Sequence, residues 1–395
     1  MLEAKLAKRT QMAARHKEGY DRLRKATSDF ADVIDLSRGW SREQTLPEHV
    51  TGAAKRAVEE GCDYEMFGMP LLRAAISEKL ERENGVDVDP EREILVTTGG
   101  SEAMHLAILV LVDPGDEVIM SNPGYIAGYE PNVLMAGGKM AYVPIREERR
   151  FKLAPEDVEK AITSRSKILV IVSPEHPTGS VLDKSDLEAI SEISVRHNLI
   201  VLSDEIFEKL IYDGKRHVSI GSFPGMEDRT ITVNGFAKGY NMPGFRVGYV
   251  AGPKVVIEMM ANVQLHTTVS VNVVGQRAAL AALQGPQDWI RNAVKAYEDQ
   301  RNLFVRGIDK MTGFRCLKPE GGLFVFPNVS EFGMSSAEFS NHLLVKAHVL
   351  TKSGQTFFGT RSEGHVRMSF TQPRRVLEET LRRISASLEE LRPHP

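Results

Sequence analysis

Asp204 and Lys238 each directly follow an apolar run, LIVLS and TITVNGFA, and a third run, KILVIVS, leads into Pro174, Glu175 and His176. In a parallel α/β sheet, ligands sit beyond the carboxyl ends of the strands. Neighbouring parallel strands lie roughly 4.8 Å apart, so two or three adjacent ends span about the width of a substituted pyridine ring. A carboxylate and a lysine at such ends can bracket a flat aromatic cofactor. Taken alone, either residue is a helix cap or a solvated turn.

Other residues complete a constellation. The strand run ILV is followed by Thr97, Thr98, Gly99, Gly100, Ser101, Glu102 and Ala103, and then by a helical pattern. Glycines and a serine between strand and helix leave backbone N–H groups and the helix dipole free to face an anion. The spacing is not GxGxxG, which counts against a dinucleotide fingerprint. Tyr125, in SNPGYIAGY, can lay its face on a flat ring or simply pack. Arg246, eight residues after Lys238, and Arg367, in GHVRMSF, adjoin apolar strand segments. Arginine suits bidentate recognition of phosphate or carboxylate, with a surface ion pair as the plainer reading of each.

The elements that must position these residues are legible as alternating apolar runs and helical patterns between about Pro47 and Gly252. Strands are expected at 94–98, 117–121, 140–145, 167–173, 199–206, 230–236 and 246–252. Several are near-continuous Val/Ile/Leu runs, as in strands buried on both faces. This predicts an α/β fold with a doubly wound, mostly parallel seven-stranded sheet. Residues 253–310 turn helical, and the tail mixes short strands (GLFVFPNV, HVRMSF) with helices. The expected division is 1–46 as an N-terminal arm and part of a small domain, 47–300 as the large domain with a connecting helix, and 301–395 as a small α+β domain. The first 30 or so residues read as one charged amphipathic helix.

Composition narrows the function. The 395 residues carry a net charge of −3, with no basic excess to suit a nucleic acid or an anionic membrane. Two distant cysteines, Cys62 and Cys316, argue against a disulfide framework or a zinc site. No metal is expected. The N-terminus lacks a signal-peptide core and no apolar run is long enough to span a bilayer, so a cytoplasmic protein is expected.

Eight segments in order resemble the fold-type-I, class I/II aminotransferases over nearly the whole chain: YEMFGMPLLRAAI, TTGGSEAM, NPGYIAGY, SPEHPTG, SDEIFEKLIYDG, NGFAKGYNMPGFRVGY, PEGGLFVFPN and HVRMSF. The resemblance implies pyridoxal 5′-phosphate held by Lys238 as a Schiff base, with the freed amine later moving the substrate proton. It implies Asp204 as partner of the pyridinium nitrogen and Tyr125 stacked on the ring. Gly100, Ser101, Glu102 and Arg246 would serve the phosphate, with Tyr64 reaching in from a second subunit. Arg367 would clamp the α-carboxylate of an amino-acid substrate, helped by Gly39 and Trp40. A homodimer with shared sites is implied.

The chain departs from the family pattern at the cofactor's phenolic oxygen. His176 replaces the usual asparagine, and Phe207 the usual tyrosine. Histidine can still donate a hydrogen bond; phenylalanine cannot. The expectation is that the imine keeps its proton to higher pH than in the family. Ala237 stands where serine is frequent, and Tyr64 lies one residue closer to Gly68 than is usual. The segment LSRGWSREQ, with Arg38, Trp40 and Arg42, replaces an acidic loop, reading either as an altered substrate pocket for an anionic or large aromatic substrate or as surface drift. Transamination is the leading expectation. Elimination, replacement, cyclisation or oxidation from the same carbanion is the alternative, since fold alone does not choose among them. A non-catalytic sensor and a nicotinamide dehydrogenase are further readings.

Overall fold

The computed structural model describes residues 5–14, 17–41, 43–389 and 391. Its strands, in chain order, are β1 (Ile34–Asp35), β2 (Ile94–Thr97), β3 (Glu117–Asn122), β4 (Lys139–Pro144), β5 (Ser166–Val172) and β6 (Ile200–Asp204). Then follow β7 (Thr230–Gly235), β8 (Gly248–Ala251), β9 (Phe324–Val325), β10 (Val349–Leu350), β11 (Lys352–Ser353) and β12 (Val366–Ser369).

The seven expected strands form one sheet in the order β2-β8-β7-β6-β5-β3-β4. β7, β6, β5, β3 and β4 run parallel, while β8 is antiparallel to both β2 and β7. Every residue of β2, β3, β7 and β8 is buried. Helices cover both faces, which explains why the strands read as unbroken apolar runs instead of alternating ones. On one face Gly100–Leu111, Ile126–Ala136 and Lys254–Leu265 pack against Val118, Val170, Leu202 and Val250. On the other, Pro155–Ala161 and Lys184–Arg196 enclose Ile119, Leu169, Ile171 and Val201.

A second core lies around the long helix Asp288–Ile308, the helices Ser336–Ala347 and Arg374–Glu389, and the antiparallel sheet β11-β12-β9. β1 pairs in parallel with β10 and ties the segment before Leu36 into this core. The expected strand over GLFVFPNV shortens to Phe324–Val325. Pro327 has no N–H to donate, and past it the pairing with the β12 segment survives only as the Val366 N–H to Pro327 carbonyl bond and an isolated bridge between Asn328 and His365.

The N-terminal region holds two helices, Lys8–Ala13 and Lys17–Asp29, where one was expected; residues 1–4 and 15–16 of that expectation lie outside the described residues. The second helix is docked. Tyr20 meets Phe357 edge-on at 5.2 Å, and a Cβ on Gly19 would sit 2.6 Å from Thr356. Among the described residues no helix is long and apolar enough to cross a membrane.

Candidate active site

The parallel strands deliver their carboxyl ends to one rim. There the chain forms a cavity of about 470 Å³ lined by Trp40, Gly100, Ser101, Tyr125, His176, Asp204, Phe207, Lys238 and Arg246, among others. With Ala237, ten of the residues singled out in the sequence thus share one cavity wall. Met104, Val172, Ile206 and Val233 make much of the rest apolar.

Lys238 follows β7. Its Nζ donates to the carbonyl of Gly39 at 3.1 Å and lies 5.7 Å from the Phe207 ring centroid. Burial, then the nearby Arg367 and Arg246 charges, push its pKa down to about 8, against a smaller pull upward from Asp204. Gly39 has little room for any other residue: a Cβ there would lie 2.6 Å from Phe324 and 3.3 Å from the lysine nitrogen.

Asp204 ends β6 and is buried. The Tyr129 hydroxyl donates to Oδ2 at 3.0 Å and the Ile206 N–H to Oδ1 at 3.2 Å. Burial raises its pKa to about 6 despite those two donors. A buried carboxylate with few partners is costly by itself and is relieved by a cation. Sequence reasoning passed over Tyr129, although it stands four residues, one helical turn, after Tyr125.

The turn between β2 and Gly100–Leu111 packs against Arg246. Gly99 has φ +75°, and a Cβ on it would meet the Arg246 guanidinium at 2.6 Å. Arg246 donates to the carbonyls of Pro243 and Thr98 at 3.1 and 3.3 Å. Together with the opening turn of a 12-residue helix it makes a cationic corner beside free N–H groups. Glu102 does not line the cavity. Its carboxylate accepts from the Thr98 N–H, the Thr268 hydroxyl and Gln264, so it braces the turn instead of facing a ligand.

His176 sits in an aromatic cluster, 4.7 Å from Tyr125, 4.9 Å from Phe324 and 6.0 Å from Phe207 between ring centroids. Arg367, in β12, donates from one terminal nitrogen to His176 Nε2 at 2.7 Å and from the other to the carbonyl of Ser37. Burial, then Arg367, hold the imidazole well below the usual histidine range. The residue before it, Glu175, is buried too and its pKa rises to about 8 through desolvation.

Two expectations fall elsewhere. Tyr64 is 76 % exposed and outside the cavity of its own chain. Arg38 pairs with Asp35 and lies 5.7 Å from the Trp40 ring, so its charge is met locally while Trp40 alone faces the cavity. Arg42 lies outside the described residues.

The sequence profile of the aminotransferases of class I and II matches residues 31–384. An aspartate aminotransferase of Pyrococcus abyssi is 39 % identical over 363 residues, 91 % of this chain and 92 % of the relative. Aromatic-amino-acid aminotransferase 2 of Thermococcus litoralis is 36 % identical over 376 residues, 92 % of this chain and 96 % of the relative. The crystal structure of an aromatic aminotransferase from Pyrococcus horikoshii superimposes with a TM-score of 0.88 at 38 % identity, covering 93 % of this chain and 99 % of that one. A lysine, an aspartate and an arginine thus converge on one cavity at the rim of a sheet of this topology, and the chain belongs to the class I and II aminotransferases, the pyridoxal-phosphate-dependent transferases of fold type I.

Proposed function

We propose that this chain moves amino groups between α-amino acids and 2-oxo acids, with Lys238 as both cofactor anchor and proton carrier. The observation that carries the reading is the placement of Lys238 Nζ and the Asp204 carboxylate on the wall of one cavity. The donor set suits pyridoxal phosphate. Lys238 would hold it through Nζ, Asp204 would face its ring nitrogen, Tyr125 its ring, and Arg246 with Gly100 and Ser101 its phosphate. When bound, the cofactor supplies an electron sink for the pair released as the substrate's Cα–H bond breaks.

The chain's own residues do the rest. With a pKa near 8, Nζ of Lys238 keeps a useful fraction of free amine close to neutral pH, the form that accepts a proton from Cα. Arg367 would take the α-carboxylate, its plane fixed by His176 and by Phe324, whose ring centroid is 3.8 Å from the guanidinium carbon. Trp40, Ile206, Phe207 and Val233 line the cavity and would keep water from the reacting carbon.

Exposed apolar residues cluster in sequence around Tyr64: Val58, Met66, Phe67 and Leu71. Such a surface supports pairing of two copies, with Tyr64 reaching the partner's phosphate corner. The test is to mix the purified protein with a panel of amino acids and an oxo-acid acceptor. The expected result is oxo-acid release from at least one donor and its loss in Lys238→Ala. Turnover that survives this substitution would sink the assignment.

A further inference from the structure

The chemistry above leaves Tyr129 without a part. It is fully buried on the helix Ile126–Ala136, one turn after Tyr125, which caps that helix and lines the cavity. The two rings meet edge-on, 6.3 Å apart between centroids and 88° between planes. Tyr125 lies back over Gly128, where a Cβ would come within 2.4 Å of its ring. The turn is braced from behind. The Asn132 amide donates to the Gly128 carbonyl at 2.7 Å, and its oxygen lies 2.8 Å from Nδ1 of His105, on the helix that opens at the cationic corner.

Asp204 needs what Tyr129 offers. A carboxylate that is to face a ring nitrogen has to stay ionised although buried, and burial opposes this. Among the described residues no cation forms an ion pair with Asp204. Its charged form rests on two donors, the Ile206 N–H to Oδ1 and the Tyr129 hydroxyl to Oδ2. The first is backbone and comes with any residue at 206; the second depends on a tyrosine. Burial, then the Asp204 charge, hold the Tyr129 pKa well above the ordinary tyrosine value, so the hydroxyl keeps its proton and stands as donor. Engaging Oδ2 from the helix side also fixes the rotation of the carboxyl group, and with it the direction of the lone pairs left for the cavity.

We propose that Tyr129 is a positioning residue for the cofactor's ring nitrogen, holding Asp204 ionised and turned toward the cavity. The proposal rests on reading Asp204 as the partner of that nitrogen. One turn of one helix then sets two contacts of a flat ring, its face through Tyr125 and its edge through the carboxylate.

The test is reconstitution of the cofactor-free chain with pyridoxal phosphate and with its deaza analogue, in which a C–H replaces the ring nitrogen, followed by absorbance. Tyr129→Phe removes one oxygen and keeps the ring. It should lose about tenfold in affinity for pyridoxal phosphate, the size of a lost hydrogen bond to a charged group, with the analogue unchanged. In the Asp204→Asn background the same substitution should change neither affinity further. Equal losses for both probes, or no loss for pyridoxal phosphate, would overturn the proposal. An undiminished loss in the Asp204→Asn background would overturn it too. Asp204→Asn alone separates the two readings. If it binds both probes as the wild type does, the assignment of Asp204 falls. If it loses affinity for pyridoxal phosphate only, while Tyr129→Phe loses none, the role of Tyr129 alone falls.

Discussion

A terminal nitrogen of Arg367 lies 2.7 Å from Nε2 of His176, and both groups rest on Phe324. Arginine only donates, so Nε2 accepts and the neutral ring carries its proton on Nδ1. Burial first, and then the same contact, keep the histidine pKa low, because a second proton would be poorly solvated and would set two cations against each other. A histidine at this point orients the arginine without adding charge.

His176→Ala therefore weakens binding of the α-carboxylate. Loss of the acceptor on a buried arginine is worth about 1–2 kcal/mol, or roughly tenfold in the Kd of an amino acid. His176→Gln, which restores an acceptor, should recover most of it. Spectral titration of both variants decides the matter, and an alanine variant with wild-type affinity would contradict it.

Glu175 makes stability depend on pH. Its pKa is raised to about 8 by burial, while its carboxylate accepts from the Ser121 hydroxyl and the His176 N–H. The native state thus holds a proton that the unfolded chain gives up, so the contribution is full below the ordinary glutamate range and is lost as pH rises toward 8. Asp204, raised to about 6, acts with the same sign over a lower window. Melting of the cofactor-free protein should fall between about pH 5 and about pH 8, and less steeply in Glu175→Gln. Parallel curves for the two proteins would refute the assignment.

Phe207→Tyr adds a hydroxyl to a buried ring beside the lysine amine. If it reaches the cofactor's phenolic oxygen, the oxyanion gains a donor and the neighbouring nitrogen releases its proton more readily. The absorbance midpoint of the cofactor-loaded variant should drop by about one pH unit, equivalent to roughly 1.4 kcal/mol. An unchanged midpoint would show that phenylalanine is not what sets it.

Behind Asp204 lies a buried ionic cluster. Lys79, 1 % exposed, contacts Glu208 and donates to Asn84 at 2.7 Å; Asn84 in turn donates to Glu205 and Glu208. Burial raises the Glu208 pKa, but Lys79, His217 and Lys209 outweigh it and bring the carboxyl to about 2. Lys79→Met strands that carboxylate and should cost about 3–5 kcal/mol, read by urea unfolding. A cost under about 1 kcal/mol would mean the cluster relaxes by taking in water.

Much of this was legible beforehand, for a physical reason. β5, β6 and β7 are buried on both faces, so their apolar runs announce themselves, and the polar residue that ends each one is already at the rim. The two-residue strands β9 and β11 carry no period to detect, and the register that sets Lys352 against Arg367 depends on the path of the chain between them. Arg38 misled because its charge is spent on a residue three positions earlier. The pairing of Arg367 with His176 joins positions 191 apart in the sequence and leaves no local trace.

The reversed direction of β8 has a mechanical consequence. Its start, not its finish, lies at the rim where β7 finishes, so the chain leaves through Lys238 and returns past Arg246 within one short loop. Both proposed grips therefore ride on a single loop. A residue inserted between them would shift one grip against the other, while motion of the loop as a whole would carry a bound molecule along with its span unchanged.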